Sequence, residues 1–210
     1  MNLTNYYWYF QSAIPERICD DIVRYGHQLQ DQMAVTGGFG GNQKLNKKQV
    51  KNLKKKRNSD IVWMNDRWIY KEIQPYIHSA NANAGWNFQW DFSESCQFTK
   101  YTKGQFYDWH CDSWDQPYIR EHENDPSHGK IRKLSVTVTL SDPKDYKGGE
   151  LEFDFRQNDP DKPNKKIKCK EILPKGSLVV FPSFVWHRVC PVTKGERNSL
   201  VIWNLGYPFR

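Results

Sequence analysis

The most restrictive feature of this chain is a strict alternation of side chains between Leu134 and Leu140. Leucine or valine stands at 134, 136, 138 and 140, and serine or threonine stands at 135, 137 and 139. Successive side chains of a β-strand point to opposite faces, so this stretch predicts a strand with one apolar and one small polar face. We therefore expect a sheet in the second half of the chain.

Further strand-like stretches indicate how that sheet is completed. They fall near 96–101, 150–155, 167–172, 177–181, 185–190 and 199–205, and turn sequences such as Ser141-Asp142-Pro143 and Lys147-Gly148-Gly149 separate them. Many short strands are typical of a sandwich or a barrel. Because helical patterns come first, the fold class that we predict is mainly β with N-terminal helices (α+β), a jelly roll supported by those helices.

Two amphipathic helices are predicted in the first half. Pro15 can open a helix in which Ile18, Ile22, Tyr25 and Leu29 recur at helical spacing, and Asp66 can cap a second that carries Ile69, Ile73, Ile77 and Ala80. Pro75 lies inside the second pattern. Since proline lacks the backbone donor and clashes with the preceding turn, we expect it to kink or split that helix.

The length of 210 residues suits a single domain. Within it, residues 1–94 would provide helical support and residues 95–210 the jelly-roll core. The segment 36–58 begins with a glycine-rich stretch and continues into a lysine run, so we expect a mobile loop that is either a functional lid or simply disordered.

Charge and cysteine usage exclude several classes of protein. Eight positive charges between Lys44 and Arg57 account for the net charge of +7, so the remainder is close to neutral, and a solvated loop explains them better than a nucleic-acid-binding face. Five cysteines without C-x-x-C spacing argue against a disulfide framework or a zinc ribbon. No signal sequence or membrane span is apparent, so we expect a cytoplasmic protein without a membrane partner.

The chemistry of the chain centres on His110, Asp112, His187 and Arg197. Two imidazoles and one carboxylate can hold one face of an octahedral iron(II) and leave three positions for a chelating co-substrate and oxygen. In an extended segment, period two places His110 and Asp112 on the same face. An isolated H-x-D triplet also arises by chance, and on its own it is weak evidence of a metal site.

The predicted strands between Phe184 and Trp203 add a second histidine and an arginine to the H-x-D triplet. Phe184–Val189, a turn at Lys194-Gly195 and the segment from Arg197 to Trp203 predict a hairpin in which His187 and Arg197 share one unit. On its second strand, Arg197, Ser199, Val201 and Trp203 would face one way, and Leu200 and Ile202 the other. A guanidinium can bind a carboxylate through two parallel hydrogen bonds, although Arg197 taken alone could be a surface charge.

These residues resemble the prolyl 4-hydroxylase-like iron(II) and 2-oxoglutarate-dependent dioxygenases. The resemblance covers roughly residues 57–207 and includes, in family order, the segment 101–107, the H-x-D triplet, Gly148-Gly149-Glu150-Leu151, the later histidine and the arginine. It implies a double-stranded β-helix fold with Fe(2+) bound by His110, Asp112 and His187. It also implies that Arg197 and Tyr101 bind the distal carboxylate of 2-oxoglutarate, with O2 as the second co-substrate and ascorbate as a supporting reductant.

The same resemblance assigns three residues to the substrate. Tyr107, Arg132 and Trp203 stand where prolyl hydroxylases of this family surround the target proline, and aromatic faces and an arginine suit a pyrrolidine ring and a peptide carbonyl. The implied reaction hydroxylates a prolyl residue of a protein or peptide and releases succinate and CO2. The same chemistry on a nucleic-acid base or another side chain is one alternative, and a non-enzymatic jelly-roll binding module is another.

Overall fold

The computed structural model describes residues 4–29, 32–33, 47–113, 115–155 and 166–209. The helices are α1 (Glu16–Gln28), α2 (Lys47–Lys56) and α3 (Arg67–Asn83), with a 3-10 turn at Lys170–Ile172. The strands are β1 (Trp8–Phe10), β2 (Gln32–Met33), β3 (Arg57–Asn58), β4 (Asp60–Met64), β5 (Phe92–Ser93), β6 (Cys96–Tyr101), β7 (Phe106–His110), β8 (Ile131–Thr139), β9 (Tyr146–Gly148), β10 (Leu151–Asp154), β11 (Lys166–Lys168), β12 (Leu178–Pro182), β13 (Trp186–Val189), β14 (Val192–Gly195) and β15 (Arg197–Gly206).

Within the described residues the strands form two main sheets and a small ribbon. The larger sheet has the order β1-β12-β8-β15-β6-β4-β2, with β5 added beside β15, and the smaller sheet has the order β11-β10-β13-β7-β3. Strands β14 and β9 pair separately. All of the pairings are antiparallel. This arrangement agrees with the predicted jelly roll and its predominance of β structure.

The larger sheet separates two hydrophobic cores. On one face, its apolar residues, such as Val136 and Leu200, pack with α1 and α3 in a core that includes Ile22 and Ile73. A second core, around Phe153 and other residues of the smaller sheet, includes Val179 and Phe181 of strand β12. The predicted alternation on β8 is confirmed, because its leucine and valine side chains lie in the helix-covered core.

Both predicted amphipathic helices are present, with one difference. The residues Ile69, Ile73, Ile77 and Ala80 are buried as the pattern predicted, but α3 runs without interruption through Pro75, so of the two expected effects, a kink or a split, the split does not occur. Pro75 is exposed, and the buried isoleucine stripe on the opposite side keeps the helix packed against the sheet. Packing therefore outweighs the loss of one backbone hydrogen bond.

The expectation of a loop over residues 36–58 is wrong for its second half. Residues 47–56 form α2, which continues into β3. Lysine has a good helix propensity, the lysines of the last turn complement the helix dipole, and Leu53 is buried. The glycine-rich stretch 36–41 and Lys44 lie outside the described residues.

The N-terminal region contributes strands as well as helices. Strand β1 pairs with β12, β4 pairs with β6, and β3 pairs with β7, so residues before position 95 extend both main sheets.

Near 167–172 the predicted strand is shorter than expected, because β11 ends at Lys168 and a 3-10 turn follows. No helix in the described ranges has the length and apolarity needed to cross a bilayer.

Candidate active site

The three predicted metal ligands lie together between the two main sheets. His110, Asp112 and His187 each offer one ligand atom, and these atoms all lie within 4.8 Å of one another. The Nε2 atom of His110 is 3.7 Å from one carboxylate oxygen of Asp112, and Nε2 of His187 is 3.5 Å from the other. Two imidazoles and a carboxylate arranged in this way suit an iron(II) ion with open coordination positions.

A β-bulge directs Tyr107 and His110 into the same space. Strand β7 pairs with β13 so that His110 lies opposite His187 and Tyr107 lies opposite Val189. Two residues of β7 therefore oppose a single residue of β13. In a regular strand, residues three apart point to opposite faces, but here the rings of Tyr107 and His110 stack with centroids 3.5 Å apart.

Both histidines are oriented so that Nε2 is free for a metal. Nδ1 of His110 lies 2.7 Å from the carbonyl oxygen of Asp108, and Nδ1 of His187 lies 2.9 Å from that of Val185. A carbonyl can only accept a hydrogen bond, so each Nδ1 carries the proton and donates it. Burial, reinforced by the neighbouring His187, lowers the pKa of His110 to about 3, which keeps its imidazole neutral as a ligand.

Asp112 is fixed as a carboxylate by its neighbours. Burial alone would raise its pKa, but His187, His110 and Arg132 and the hydroxyl of Ser135 lower it to about 2. Ser135 Oγ donates a hydrogen bond of 2.7 Å to Asp112, and the Asp112 amide donates one to the carbonyl of Ser183. The donor set, the tautomers and the charge thus all fit a divalent metal.

Arg197 lies in the same cavity, but it does not share a hairpin with His187. Strand β13 belongs to the smaller sheet, whereas β15 pairs with β6 and β8 in the larger one, so the predicted hairpin is wrong. Between the two strands, β14 carries the chain from one sheet to the other. The predicted facing of β15 is confirmed, because Arg197, Ser199, Val201 and Trp203 line the cavity and Leu200 and Ile202 lie in the helix-covered core.

The guanidinium of Arg197 is a buried charge that has no carboxylate partner among the described residues. Arg197 is 2% exposed, and its one side-chain hydrogen bond goes to Ser199. Tyr101 lies beside it as its partner across the strands, with its ring centroid 5.7 Å from the guanidinium carbon. A buried cation of this kind is stabilised by a bound anion, so the surroundings fit a carboxylate ligand.

Gly149 makes room for the Arg197 side chain. A Cβ atom at position 149 would lie 2.8 Å from Cδ of Arg197 and 2.9 Å from Cγ2 of Val192. Its φ of +68° is also one that glycine adopts readily. The second glycine of the Gly148-Gly149 turn is therefore required both by the turn and by the position of the arginine.

Arg57 is a site residue that the sequence did not reveal. The sequence groups it with the basic run of a solvated loop, but it is 5% exposed and lines the same cavity. It donates hydrogen bonds to Ser59 and Gln97, and its guanidinium lies 4.5 Å from the ring centroid of Tyr107. Five lysines of α2, at 48, 51, 54, 55 and 56, are exposed as expected. Arg57 is the first residue of β3, and its burial follows from the pairing of β3 with β7, which no local sequence pattern marks.

Of the three residues that the resemblance assigns to the substrate, Tyr107 and Trp203 line the cavity, and Arg132 contacts Trp203. Arg132 does not line the cavity itself, but its guanidinium lies 3.8 Å from the ring of Trp203, which does. Glu94 accepts two hydrogen bonds from Arg132 and fixes its orientation. The indole N–H of Trp203 is buried and has no hydrogen-bond partner in the described part of the chain. Sequence reasoning missed Glu94, because its role depends on a contact between distant segments.

Comparison with known families identifies the chain. Residues 96–204 match the profile of the 2OG-Fe(II) oxygenase superfamily, and this region contains all three clustered ligands together with Arg197. The chain therefore belongs to the 2OG-Fe(II) oxygenase superfamily. Iron(II) and 2-oxoglutarate are the metal and co-substrate that this family and the ligand triad imply.

Among curated proteins, the chain is similar to PKHD-type hydroxylases. It is 38% identical over 109 residues to PKHD-type hydroxylase YbiX of Escherichia coli O157:H7, a match that covers 50% of this chain and 40% of the relative. It is 35% identical over 107 residues to a PKHD-type hydroxylase of Alteromonas mediterranea, covering 50% and 41%. The match thus spans about two fifths of the length of these relatives.

Solved structures share the fold over nearly the whole chain. A viral collagen prolyl hydroxylase from Paramecium Bursaria Chlorella virus-1 has a TM-score of 0.62 at 21% identity and covers 97% of both chains. A Pseudomonas putida prolyl-4-hydroxylase has a TM-score of 0.60 at 21% identity, covering 96% of this chain and 92% of its own. With the family match, these likenesses establish the predicted double-stranded β-helix.

The Gly149→Ala substitution should weaken 2-oxoglutarate binding. The added methyl group collides with the Arg197 side chain and moves its guanidinium, so we expect the affinity for 2-oxoglutarate to fall at least about tenfold, the equivalent of one lost hydrogen bond to a charged group. Calorimetric titration of the Mn(II)-loaded protein with 2-oxoglutarate measures this loss.

The matched control for this substitution is Gly104→Ala. Gly104 has a φ of +83° and no atom within 4 Å of its Cβ position, so the variant carries the same backbone strain without the collision. It should bind 2-oxoglutarate as the parent does. Equal losses in the two variants would contradict the positioning role of Gly149.

Proposed function

We propose that this chain, as a single catalytic domain, is an iron(II)- and 2-oxoglutarate-dependent dioxygenase that hydroxylates a prolyl residue of a protein or peptide. The observation that carries the proposal is the convergence of His110, Asp112, His187 and Arg197 on one cavity. Membership of the superfamily supports the reaction type, and the names of the structural neighbours support the prolyl target.

In this proposal His110, Asp112 and His187 hold iron(II) on one face. When iron(II) and 2-oxoglutarate are bound, they supply the oxidant, since O2 gives one oxygen atom to the substrate C–H bond and one to the succinate that forms with release of CO2. The protein keeps the His110 imidazole neutral and the Asp112 carboxylate charged, so that these two ligand atoms are available without loss of a proton. Ascorbate would keep the iron reduced.

Arg197 and Tyr101 would bind the distal carboxylate of 2-oxoglutarate. The cavity lining contains two guanidinium groups, those of Arg57 and Arg197, and a single carboxylate, that of Asp112. This excess of positive charge favours a dicarboxylate. Arg197 is already buried and oriented by Ser199, so little side-chain entropy is lost when the ligand binds.

Tyr107, Arg132 and Trp203 would position the substrate. The stacked pair of Arg132 and Trp203 offers a flat surface that suits a pyrrolidine ring, and Tyr107, whose ring contacts His110 and Arg57, lines the cavity beside Trp203. The unpaired indole N–H of Trp203 would donate a hydrogen bond to a substrate carbonyl, which would satisfy an otherwise unpaired buried donor. Together these groups would hold one C–H bond beside the metal.

A second candidate target is a nucleic acid, with the same oxygenase chemistry. The observation in its favour is that α2 carries exposed lysines. This helix leads directly into β3, which pairs with β7, the strand that carries His110. Binding to phosphates would weaken steeply with increasing salt. Salt-dependent retention of a DNA or RNA oligomer, together with its oxidation, would favour this candidate over a peptide.

The proposal predicts turnover that depends on the metal ligands. Incubation with iron(II), 2-oxoglutarate, ascorbate and a panel of proline-containing peptides should release succinate and add one oxygen atom to a peptide, as measured by mass spectrometry. His110→Ala should abolish both signals, because the metal loses one of its three ligands. Equal turnover by the parent and this variant would refute the assignment of the metal site.

Removing the indole donor should impair substrate binding specifically. Trp203→Phe keeps an aromatic face but loses the N–H, so we expect KM for the peptide to rise roughly fivefold, the equivalent of about 1 kcal/mol for one hydrogen bond. Succinate release without peptide should stay at the parent level. Trp68→Phe is the control, since Trp68 is 37% exposed on α3. An unchanged KM in Trp203→Phe would contradict the substrate role.

A further inference from the structure

A second cavity lies apart from the metal cluster. It has a volume of about 550 Å³, and none of the residues that line it also lines the cavity of His110 and Arg197. Its walls are unusually aromatic, being formed largely by Trp86, Phe88, Trp90, Tyr207 and Phe209. A cavity of this volume is within the range of small-molecule binding sites.

Close backbone packing forms this cavity. Gly206, at the end of β15, packs so tightly against the segment 87–91 that a Cβ atom would collide with the carbonyl oxygen of Gln89. The Asp91 amide donates a hydrogen bond to the carbonyl of Leu205, which ties the two walls together. Trp86 and Phe88 are themselves buried. The backbone packing therefore fixes one wall of the cavity, and the exposed rings of Tyr207 and Phe209 complete it.

The polar group that points to a ligand is Lys133. It is only 5% exposed, and in the described ranges its ammonium group makes neither a hydrogen bond nor an ion pair. The ammonium nitrogen lies 4.5 Å from the ring centroid of Phe209, so it faces a wall of the cavity. An ammonium group that lies among aromatic rings is only partly solvated, so it favours a bound anion.

Neighbouring charges do not compensate Lys133. The nearest carboxylate that lines the cavity, Asp91, already forms an ion pair of 2.8 Å with Lys130. Lys130 also lies 5.5 Å from the ring of Tyr207. Among the described residues around the cavity there are thus two ammonium groups and one carboxylate, which leaves one positive charge in excess. Burial accordingly lowers the pKa of Lys133, although Asp91 opposes the shift.

We infer that this cavity is a binding site for a small organic anion with a flat, apolar body, above all an aromatic carboxylate. The ammonium group of Lys133 would pair with the carboxylate, and the aromatic rings would pack against the body of the ligand. The inference stands on this cavity alone and does not depend on the proposed oxygenase reaction.

The test compares two probes of the same shape, 2-naphthoate and its neutral counterpart 2-naphthamide, by calorimetric titration of the full chain. Because a hydrogen bond to a charged group is worth about 1.5–3 kcal/mol, 2-naphthoate should bind at least about tenfold more tightly than 2-naphthamide. The Lys133→Met variant should remove that preference. Equal affinity for the two probes, or no binding of 2-naphthoate, would overturn the inference.

A control variant separates this cavity from the proposed 2-oxoglutarate site, which could also bind a carboxylate. Arg197→Leu should leave 2-naphthoate binding unchanged, and loss of binding in that variant would place the probe in the other cavity and overturn the inference. Fluorine NMR of 5-fluorotryptophan-labelled protein gives the location directly. Naphthoate should shift the signal of Trp90 and not that of Trp203, each assigned by substitution with phenylalanine.

The melting temperature of Lys133→Met tests the premise independently of any probe. Replacing this partly desolvated ammonium group by a methionine of similar length should leave the protein as stable as the parent or more stable. This result would show that the lysine is not retained for folding. A clear loss of stability would mean that Lys133 stabilises the fold through its own contacts, which would contradict the inference.

Discussion

The pairing of β7 with β13 is the constraint on which the site depends. It places His110 directly opposite His187 in the smaller sheet, and the bulge within the same pairing turns Tyr107 towards both. Asp112 follows just beyond the end of β7, where its amide bonds to the carbonyl of Ser183. One local irregularity of the backbone therefore brings together side chains that a regular strand would point to opposite faces.

The larger sheet contributes the complementary half of the site. Its cavity-facing side chains on β8 and β15 include the polar Thr137 and Ser199, the charged Arg197 and the apolar Val201 and Trp203, and its other face is covered by α1 and α3. Arg197 is buried without a carboxylate partner in the described chain, and it is held in place by a turn whose second glycine leaves room for it. In the proposed reaction, the pair of histidines that would hold the metal comes from the smaller sheet, and the arginine that would hold the anion comes from the larger one.

Much of this arrangement could be predicted from the sequence, because period-two and helical patterns report which face of each element is buried. Leu200 and Ile202 on β15 and the isoleucine stripe of α3 follow those patterns. The hairpin between His187 and Arg197 was wrong because short strands that follow one another need not pair, and here the chain crosses between sheets through β14. Arg57 was assigned to the solvated lysine run, since charge composition does not reveal burial.

The β-bulge in the pairing of β7 with β13 and the ion pair of Glu94 with Arg132 could not be predicted from the sequence. Both depend on how segments distant in sequence align with each other, and no local sequence pattern indicates that alignment. The resemblance to prolyl 4-hydroxylases placed Tyr107, Arg132 and Trp203 in one group, whereas periodicity alone would have separated Tyr107 from His110. The cavity around Lys133 had no signal in the sequence, because its walls come from two distant segments.

Whether His110, Asp112 and His187 form one metal site is tested most directly by an anaerobic titration of the metal-free protein with iron(II). The parent should bind one ion per chain, and replacing any one of the three residues by alanine should abolish that binding. Retention of stoichiometric iron in any of the three variants, or no binding by the parent, would contradict a shared metal site.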